Sequence, residues 1–295
     1  MSPDASHVSG VQRVPFQLEP APGRVVRGDV RIPGTDSPGV RAIIVCHGFK
    51  GFKDWGFFPH LAERLAADTD SVTVSFNFSG SGIGPDLESF TDLEAFGHNT
   101  FSREIEDLEA VVSGMLGGRL GEAEVPVPSR LGLVGHSRGA ASVLLVGAAR
   151  PEVQAVVTWA GIGSVFRYES WLSESLDADG VMHVLNARTG QQLPLYRDVL
   201  DDLRARRERL DMEGAARRLG HRLLLVHGSD DEAVPPEEGR ILQQATGGSA
   251  LLAIVAGAGH TFGASHPFPG TNPLLDEAVG LTVDHFGRFL KGGAP

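Results

Sequence analysis

From residue 40 to residue 290 the apolar positions switch repeatedly between two periods. Ala42-Ile43-Ile44-Val45-Cys46 is a continuous β-rich run, the pattern of a strand buried on both faces of a parallel sheet. Residues 57–67 place Phe58, Leu61, Ala62, Leu65 and Ala66 at helical spacing, and Val72–Phe76 returns to strand. A helix is expected over about 99–116, where Ile105, Leu108, Val111, Val112 and Met115 form one stripe. Leu131–Val134 reads as strand, 138–149 as helix and Ala155–Val157 as strand. Later come a strand at Leu223–Val226, a helix near 236–245, a strand at Leu251–Val255 and a last helix near 274–290. Alternating buried strands and amphipathic helices predict an α/β fold with a mostly parallel, right-handed sheet.

Two stretches stand outside this rhythm. Residues 1–13 read as a loose polar start, followed by short extended segments near Phe16–Glu19 and Val25–Ile32. The second alternates apolar and polar residues, as an edge strand does. Between the strand at 155–160 and the strand at 223 lie about sixty residues without a buried strand. There Asn186–Gln191 reads as a hairpin turn whose neighbours Val184, Leu185, Leu193 and Leu195 are expected to pack down on a substrate. The arginine-rich run Arg204–Arg209 is interleaved with Asp198, Asp201, Asp202, Glu208 and Asp211, so it reads as a solvated, ion-paired helix face. Residues 164–219 are therefore expected to be an insertion covering the sheet's carboxyl end, where open α/β sheets bind ligands. Residues 1–163 and 220–295 form the core.

Composition narrows the function classes. The chain has 295 residues, 41% apolar and 21% charged, as in an ordinary globular protein. Its net charge is −11, with 26 basic against 37 acidic residues, so nucleic acid and anionic membrane are poor partners. One cysteine, Cys46, excludes an internal disulfide and a multi-cysteine metal site. Eleven histidines are scattered without a metal-ligand spacing, so neither a metal nor a cofactor is expected. Met1-Ser2-Pro3-Asp4 lacks the basic and apolar regions of a secretory signal, and no run is long enough to span a bilayer; a cytoplasmic location is expected. The sequence leaves the oligomeric state open, a homo-oligomer included.

Chemistry concentrates at three strand ends. The strand 131–134 runs into Gly135-His136-Ser137-Arg138-Gly139, then a small-residue helix. G-x-S-x-G between strand and helix is the nucleophile elbow, where a strained turn exposes the serine and glycines prevent backbone clashes. A hydroxyl needs a base, and the base an orienting carboxylate. The strand 223–226 ends in His227-Gly228-Ser229-Asp230-Asp231, and the strand 251–255 leads to Gly259-His260. Ser137, Asp231 and His260 are the catalytic candidates. Backbone N–H groups of Arg138 and of Phe49, in the loop His47-Gly48-Phe49-Lys50-Gly51-Phe52, are the candidate oxyanion donors. His47 is expected to orient that loop, and Cys46 to pack in the core. Gly80-Ser81-Gly82-Ile83-Gly84 lacks a following helix and a Gly-Lys-Ser/Thr signature, so it reads as a flexible turn bordering the site rather than a phosphate loop. Phe49, Phe52, Tyr168 and Trp171 are the substrate-binding candidates.

With these pieces placed, the sequence resembles the α/β-hydrolase superfamily over about residues 40–290. It is most similar to bacterial serine esterases and acyl hydrolases of the dienelactone-hydrolase-like and serine-aminopeptidase-like groups. The residues that carry the resemblance are His47-Gly48-Phe49, Gly135–Gly139, His227-Gly228-x-x-Asp231-x-x-Val234-Pro235 and Gly259-His260. The family's acid falls at the fifth position of the third motif, which favours Asp231 over Asp230. The elbow carries serine where dienelactone hydrolases proper carry cysteine, and the triple glycine of hormone-sensitive-lipase relatives is absent. The resemblance implies an α/β-hydrolase fold with a lid after the sixth strand. It also implies a serine hydrolase acting on small to medium carboxylic esters. An amide hydrolase, thioesterase or acyltransferase would use the same triad, and a non-catalytic binding protein would leave it idle.

Overall fold

The computed structural model describes residues 11–34 and 40–291. Eight strands build the main sheet: β1 (Val11–Ala21), β2 (Arg24–Pro33), β3 (Arg41–Cys46), β4 (Val72–Asn77), β5 (Arg130–His136), β6 (Val153–Trp159), β7 (Leu223–Gly228) and β8 (Leu251–Val255). Their spatial order is β1-β2-β4-β3-β5-β6-β7-β8. β1 and β2 pair antiparallel, β2 joins β4 antiparallel, and the remaining neighbours are parallel. This is the α/β-hydrolase arrangement.

Five helices flank the sheet: α1 (Phe58–Thr69), α2 (Phe101–Leu116), α3 (Gly139–Ala149), α4 (Glu237–Ala245) and α5 (Pro273–Leu290). α2 buries the stripe Ile105, Leu108, Val111, Val112 and Met115 and is capped by Thr100, whose hydroxyl accepts the Arg103 N–H. α3 is apolar all round and is buried along nearly its whole length, as a helix sandwiched inside a large domain must be. Chain direction across the sheet reverses between β4 and β5, which lie on opposite sides of β3. The loops leaving β3 and β5 therefore part there and open a crevice at the carboxyl ends. Trp159, at the end of β6, packs its ring centroid 5.3 Å from Phe57 and 5.1 Å from Phe262, and its indole N–H donates to Thr282 Oγ1 at 2.8 Å. Burying each such ring stabilises the fold by about 1.5–3 kcal/mol.

The amino-terminal region differs from expectation. β1 begins at Val11, inside the stretch read as loose; residues 1–10 lie outside the described residues. β1 is the edge strand, and β2, read as the edge, is paired on both sides. The polar residues of β2 misled the reading because they are buried against polar partners from other elements. Asp29 pairs with Lys53 and Arg13, and Arg31 donates to Ser75 Oγ. The Gly80–Gly84 segment is also not a flexible border. It is buried and closed by Ser81 N–H to Phe78 O and by the Ile83–Phe90 bridge, on a different cavity from that of Ser137.

Between β6 and β7 the chain forms a short helix (Glu169–Ser175), a hairpin (Val181–Leu185 with Gln192–Tyr196) and two helices (Arg197–Ala205 and Met212–Leu219). The arginine-rich face is ion-paired: Arg204 and Arg207 meet Glu169, and Arg209 meets Glu106. Leu193 and Leu195 are buried against the protein core, and Leu185 is exposed. The hairpin's apolar residues thus pack into the fold, and its turn is what reaches the crevice. Among the described residues no helix is long and apolar enough to cross a membrane.

Candidate active site

Ser137 follows β5 directly and has φ 56°, a left-handed conformation that costs a non-glycine residue free energy. Surrounding bonds hold it there. The Ser137 N–H donates to Trp159 O at 2.9 Å, and Ser137 O accepts from Ala140 N–H at 3.1 Å. The flanking glycines are required by close approach. A Cβ on Gly139 would lie 2.4 Å from His47 O, and one on Gly135 would lie 2.4 Å from Gly139 O.

His260, on the loop after β8, places Nε2 3.0 Å from Ser137 Oγ. Its Nδ1 lies 2.8 Å from Asp231 Oδ2, on the loop after β7. With the carboxylate ionised, Nδ1 carries the proton and donates it to Asp231. Nε2 is then the acceptor for the serine hydroxyl. Asp231 is fixed at its other oxygen, where Oδ1 accepts the Ala233 N–H at 3.0 Å and the Val234 N–H at 2.9 Å. Burial pushes the Asp231 carboxyl up, but hydrogen bonds from His227 and His260 outweigh burial and hold it well below the usual carboxylate range. The neighbouring Asp230 is exposed and bonds Ser229 instead.

The loop after β3 comes close to the serine. A Cβ on Gly48 would stand 2.9 Å from Ser137 Cβ, so only glycine lets the two backbones approach. His47 ties this loop down: its Nδ1–H donates to Gly48 O at 2.9 Å and its Nε2 accepts the Phe78 N–H at 3.3 Å. Phe49 and Ser137 line the same cleft, and Arg138 precedes α3 at its positive end. Among the described residues, neither the Phe49 nor the Arg138 N–H has a protein acceptor.

Sequence reasoning missed the groups that support this frame. The Arg138 side chain is buried; it donates to Glu104 Oε1 at 2.8 Å and to Asn99 O at 2.9 Å, and its guanidinium lies 3.9 Å from the centroid of Phe101. His136 donates from Nε2 to His260 O at 2.9 Å, anchoring the backbone that carries the base. Neither role had a signal, since both partners are more than thirty residues away in sequence. Cys46 is buried, and burial pushes its thiol well up. Among the described residues no three His, Cys, Asp or Glu side chains are grouped as metal ligands.

The cleft over Ser137 has a volume of about 240 Å³ and is walled by Phe49, Trp55, Phe58 and the hairpin-turn residues Asn186–Arg188. Phe52 is fully buried and does not line it. Trp55 and Phe58 from the same aromatic run take its place because the turn into α1 points them the other way. Tyr168 and Trp171 line a small apolar cavity that shares Phe49 and Arg138 with the site but not Ser137.

Comparison with known proteins agrees with this fold. A model of the alpha/beta hydrolase family matches residues 43–272. The chain belongs to that family. The solved structures similar to this hydrolase include Est1E from Butyrivibrio proteoclasticus, with TM-score 0.64 and 16% identity over 96% of this chain and 98% of that one. A putative hydrolase from Agrobacterium vitis is similar with TM-score 0.67 and 17% identity, over 93% and 98% of the two chains. The dienelactone hydrolase from Anabaena variabilis has TM-score 0.57 and 16% identity, over 95% and 99%. No curated protein matches the sequence.

Three buried histidines give this hydrolase an acid-sensitive fold. Desolvation lowers His47 to about 4, His136 to about 3 and His285 to about 4, so all three are neutral when folded. Unfolding returns each to near ~6.5. Between about pH 4 and 6 the unfolded chain therefore binds more protons, and stability falls as the pH drops through that window. His285, which donates to Arg222 O at 3.0 Å away from the cleft, isolates one of the three. His285→Gln is expected to reduce proton uptake on unfolding near pH 5 by about one. Urea unfolding across that range measures it, and an unchanged slope would show that His285 is charged in the folded state.

Proposed function

We propose that this α/β hydrolase cleaves carboxylic esters of small to medium size through an acyl-enzyme. The observation that carries the reading is the unbroken chain Ser137 Oγ–His260 Nε2, His260 Nδ1–Asp231 Oδ2, at 3.0 and 2.8 Å, opening into a cleft. Ser137 Oγ attacks the acyl carbon as His260 takes its proton, and Asp231 stabilises the imidazolium. The N–H groups of Phe49 and Arg138 hold the oxyanion, in a site that needs no reorganisation as charge develops. His260 then protonates the departing alcohol. Water, deprotonated by the same ring, attacks the acyl-serine and releases the acid. Every step is a nucleophilic displacement or a proton transfer, so no cofactor is required.

In this reading residues 164–219 cover the site, with the hairpin turn as the near wall. Phe49 lies between the cleft and the small cavity of Tyr168 and Trp171. A cleft of about 240 Å³ suits short acyl groups. The test is a panel of p-nitrophenyl esters of rising chain length with matched amides and thioesters, run alongside fluorophosphonate labelling of the folded protein. Short esters are expected to turn over fastest and the label to sit on Ser137. An unlabelled Ser137 with no ester turned over would mark a non-catalytic binding protein. Faster amide or thioester turnover would move the substrate class.

A further inference from the structure

The charge of the cleft runs against the charge of the molecule. Acidic residues outnumber basic ones 37 to 26 over the whole chain, and only three lysines are present. Yet no aspartate or glutamate lines the cleft over Ser137, and two permanent cations do, Lys50 and Arg188. They come from different segments: Lys50 from the loop after β3, Arg188 from the hairpin turn.

Among the described residues neither cation has a carboxylate partner. Lys50 Nζ donates to a neutral acceptor, Leu185 O, at 3.1 Å, and that bond ties the hairpin to the loop. The Arg188 guanidinium lies over the rings of Phe52 and Phe90, 5.4 and 5.9 Å from their centroids. Ring faces hold such a group in place without satisfying its N–H donors. Among the described residues Arg188 has no carboxylate within ion-pair distance. Glu88 and Asp54 act on the neighbouring His266, as Arg188 does, but form no ion pair with Arg188. A third donor stands beside it. Asn186 is buried and lines the same cleft; its Oδ1 accepts the Arg188 N–H at 3.2 Å, which leaves Nδ2 without an acceptor.

Arg188 contrasts with Arg204, Arg207 and Arg209 of the same segment, each of which has an acid partner. Arg188 is exposed to solvent, and cationic donors that line one cleft with no carboxylate among its lining residues favour an anion there. The planar fork of an arginine fits a carboxylate with two parallel hydrogen bonds. We infer that the ester cleaved here carries a free carboxylate, received between Arg188 and Lys50 at the mouth of the cleft. The inference rests on the ester-hydrolase reading and deepens it: the preferred substrate is a half-ester of a dicarboxylic acid or an ester of a carboxylated alcohol.

Two matched pairs test it and locate the carboxylate. p-Nitrophenyl hemiadipate against p-nitrophenyl hexanoate probes the acyl side. 4-Carboxyphenyl acetate against phenyl acetate probes the alcohol side. Each kcat/KM ratio is divided by the pair's hydroxide-catalysed rate ratio. One pair is expected to favour the anion by about tenfold, less in molar salt. That ratio is expected to fall close to one in Arg188→Gln and to survive in part in Arg188→Lys, with folding checked by circular dichroism. Ser137-dependent turnover of the neutral esters with no anion preference in either pair overturns this inference and leaves the hydrolase reading standing. An anion preference untouched by Arg188→Gln also overturns it. Absence of any Ser137-dependent ester turnover defeats both.

Discussion

Ser137→Ala is expected to lower turnover of the best ester by about 10⁴–10⁶-fold. In the proposed mechanism the hydroxyl at that position is the nucleophile, and no other hydroxyl lies within hydrogen-bond reach of His260 Nε2 among the described residues. Removing Oγ leaves the oxyanion donors and the cleft in place, so substrate binding should change little and the loss should fall on kcat. The fold should tolerate the change, because alanine keeps the Cβ and the backbone bonds of Ser137 to Trp159 and Ala140. Steady-state kinetics with burst-phase detection and a thermal melt of the variant measure both statements. A folded variant with turnover within tenfold of the parent would remove Ser137 from the mechanism.

Asp231→Asn is expected to cost about 10³–10⁴-fold in kcat, for a reason specific to this loop. Asp231 Oδ1 accepts two backbone N–H groups, from Ala233 and Val234. An asparagine must keep its carbonyl oxygen on those donors, which turns its NH₂ towards His260 Nδ1. The ring would then have to accept at Nδ1 and carry its proton on Nε2, the tautomer that cannot take a proton from Ser137. Asp230→Asn, one residue away on an exposed side chain bonded to Ser229, serves as the control and is expected to leave kcat unchanged. Equal losses in both variants, or none in Asp231→Asn, would refute the assignment of the orienting acid.

Local patterns made much of the molecule legible. The runs at 42–46, 72–76, 131–134 and 223–226 all became buried sheet strands, because a strand covered on both faces cannot hide its apolar content; the run 251–255 also became a strand, but at the sheet edge with Leu251 and Ile254 exposed. β2 was legible as a strand but not in its place. The charges of Asp29 and Arg31 look like solvent-facing positions until their partners Lys53, Arg13 and Ser75 are known. Phe52 shows the same limit within the candidate site. An aromatic run next to an oxyanion loop says that rings gather there, but not which of Phe49, Phe52, Trp55 and Phe58 faces the cleft.

The sequence alone determined the class of fold and pointed to three candidate reacting groups. A parallel sheet, an elbow serine, a carboxylate and an imidazole each impose steric or periodic demands on their own few neighbours, and those demands are visible residue by residue. Tertiary structure decided the rest: that Arg138 is locked to Glu104, that His136 holds the backbone of His260, and that Arg188 and Lys50 line one cleft with no acid among its lining residues. Such contacts join segments up to 124 positions apart in the chain, as His136 and His260 are. Pairwise electrostatics and packing depend on distance in space, which no single stretch of sequence encodes.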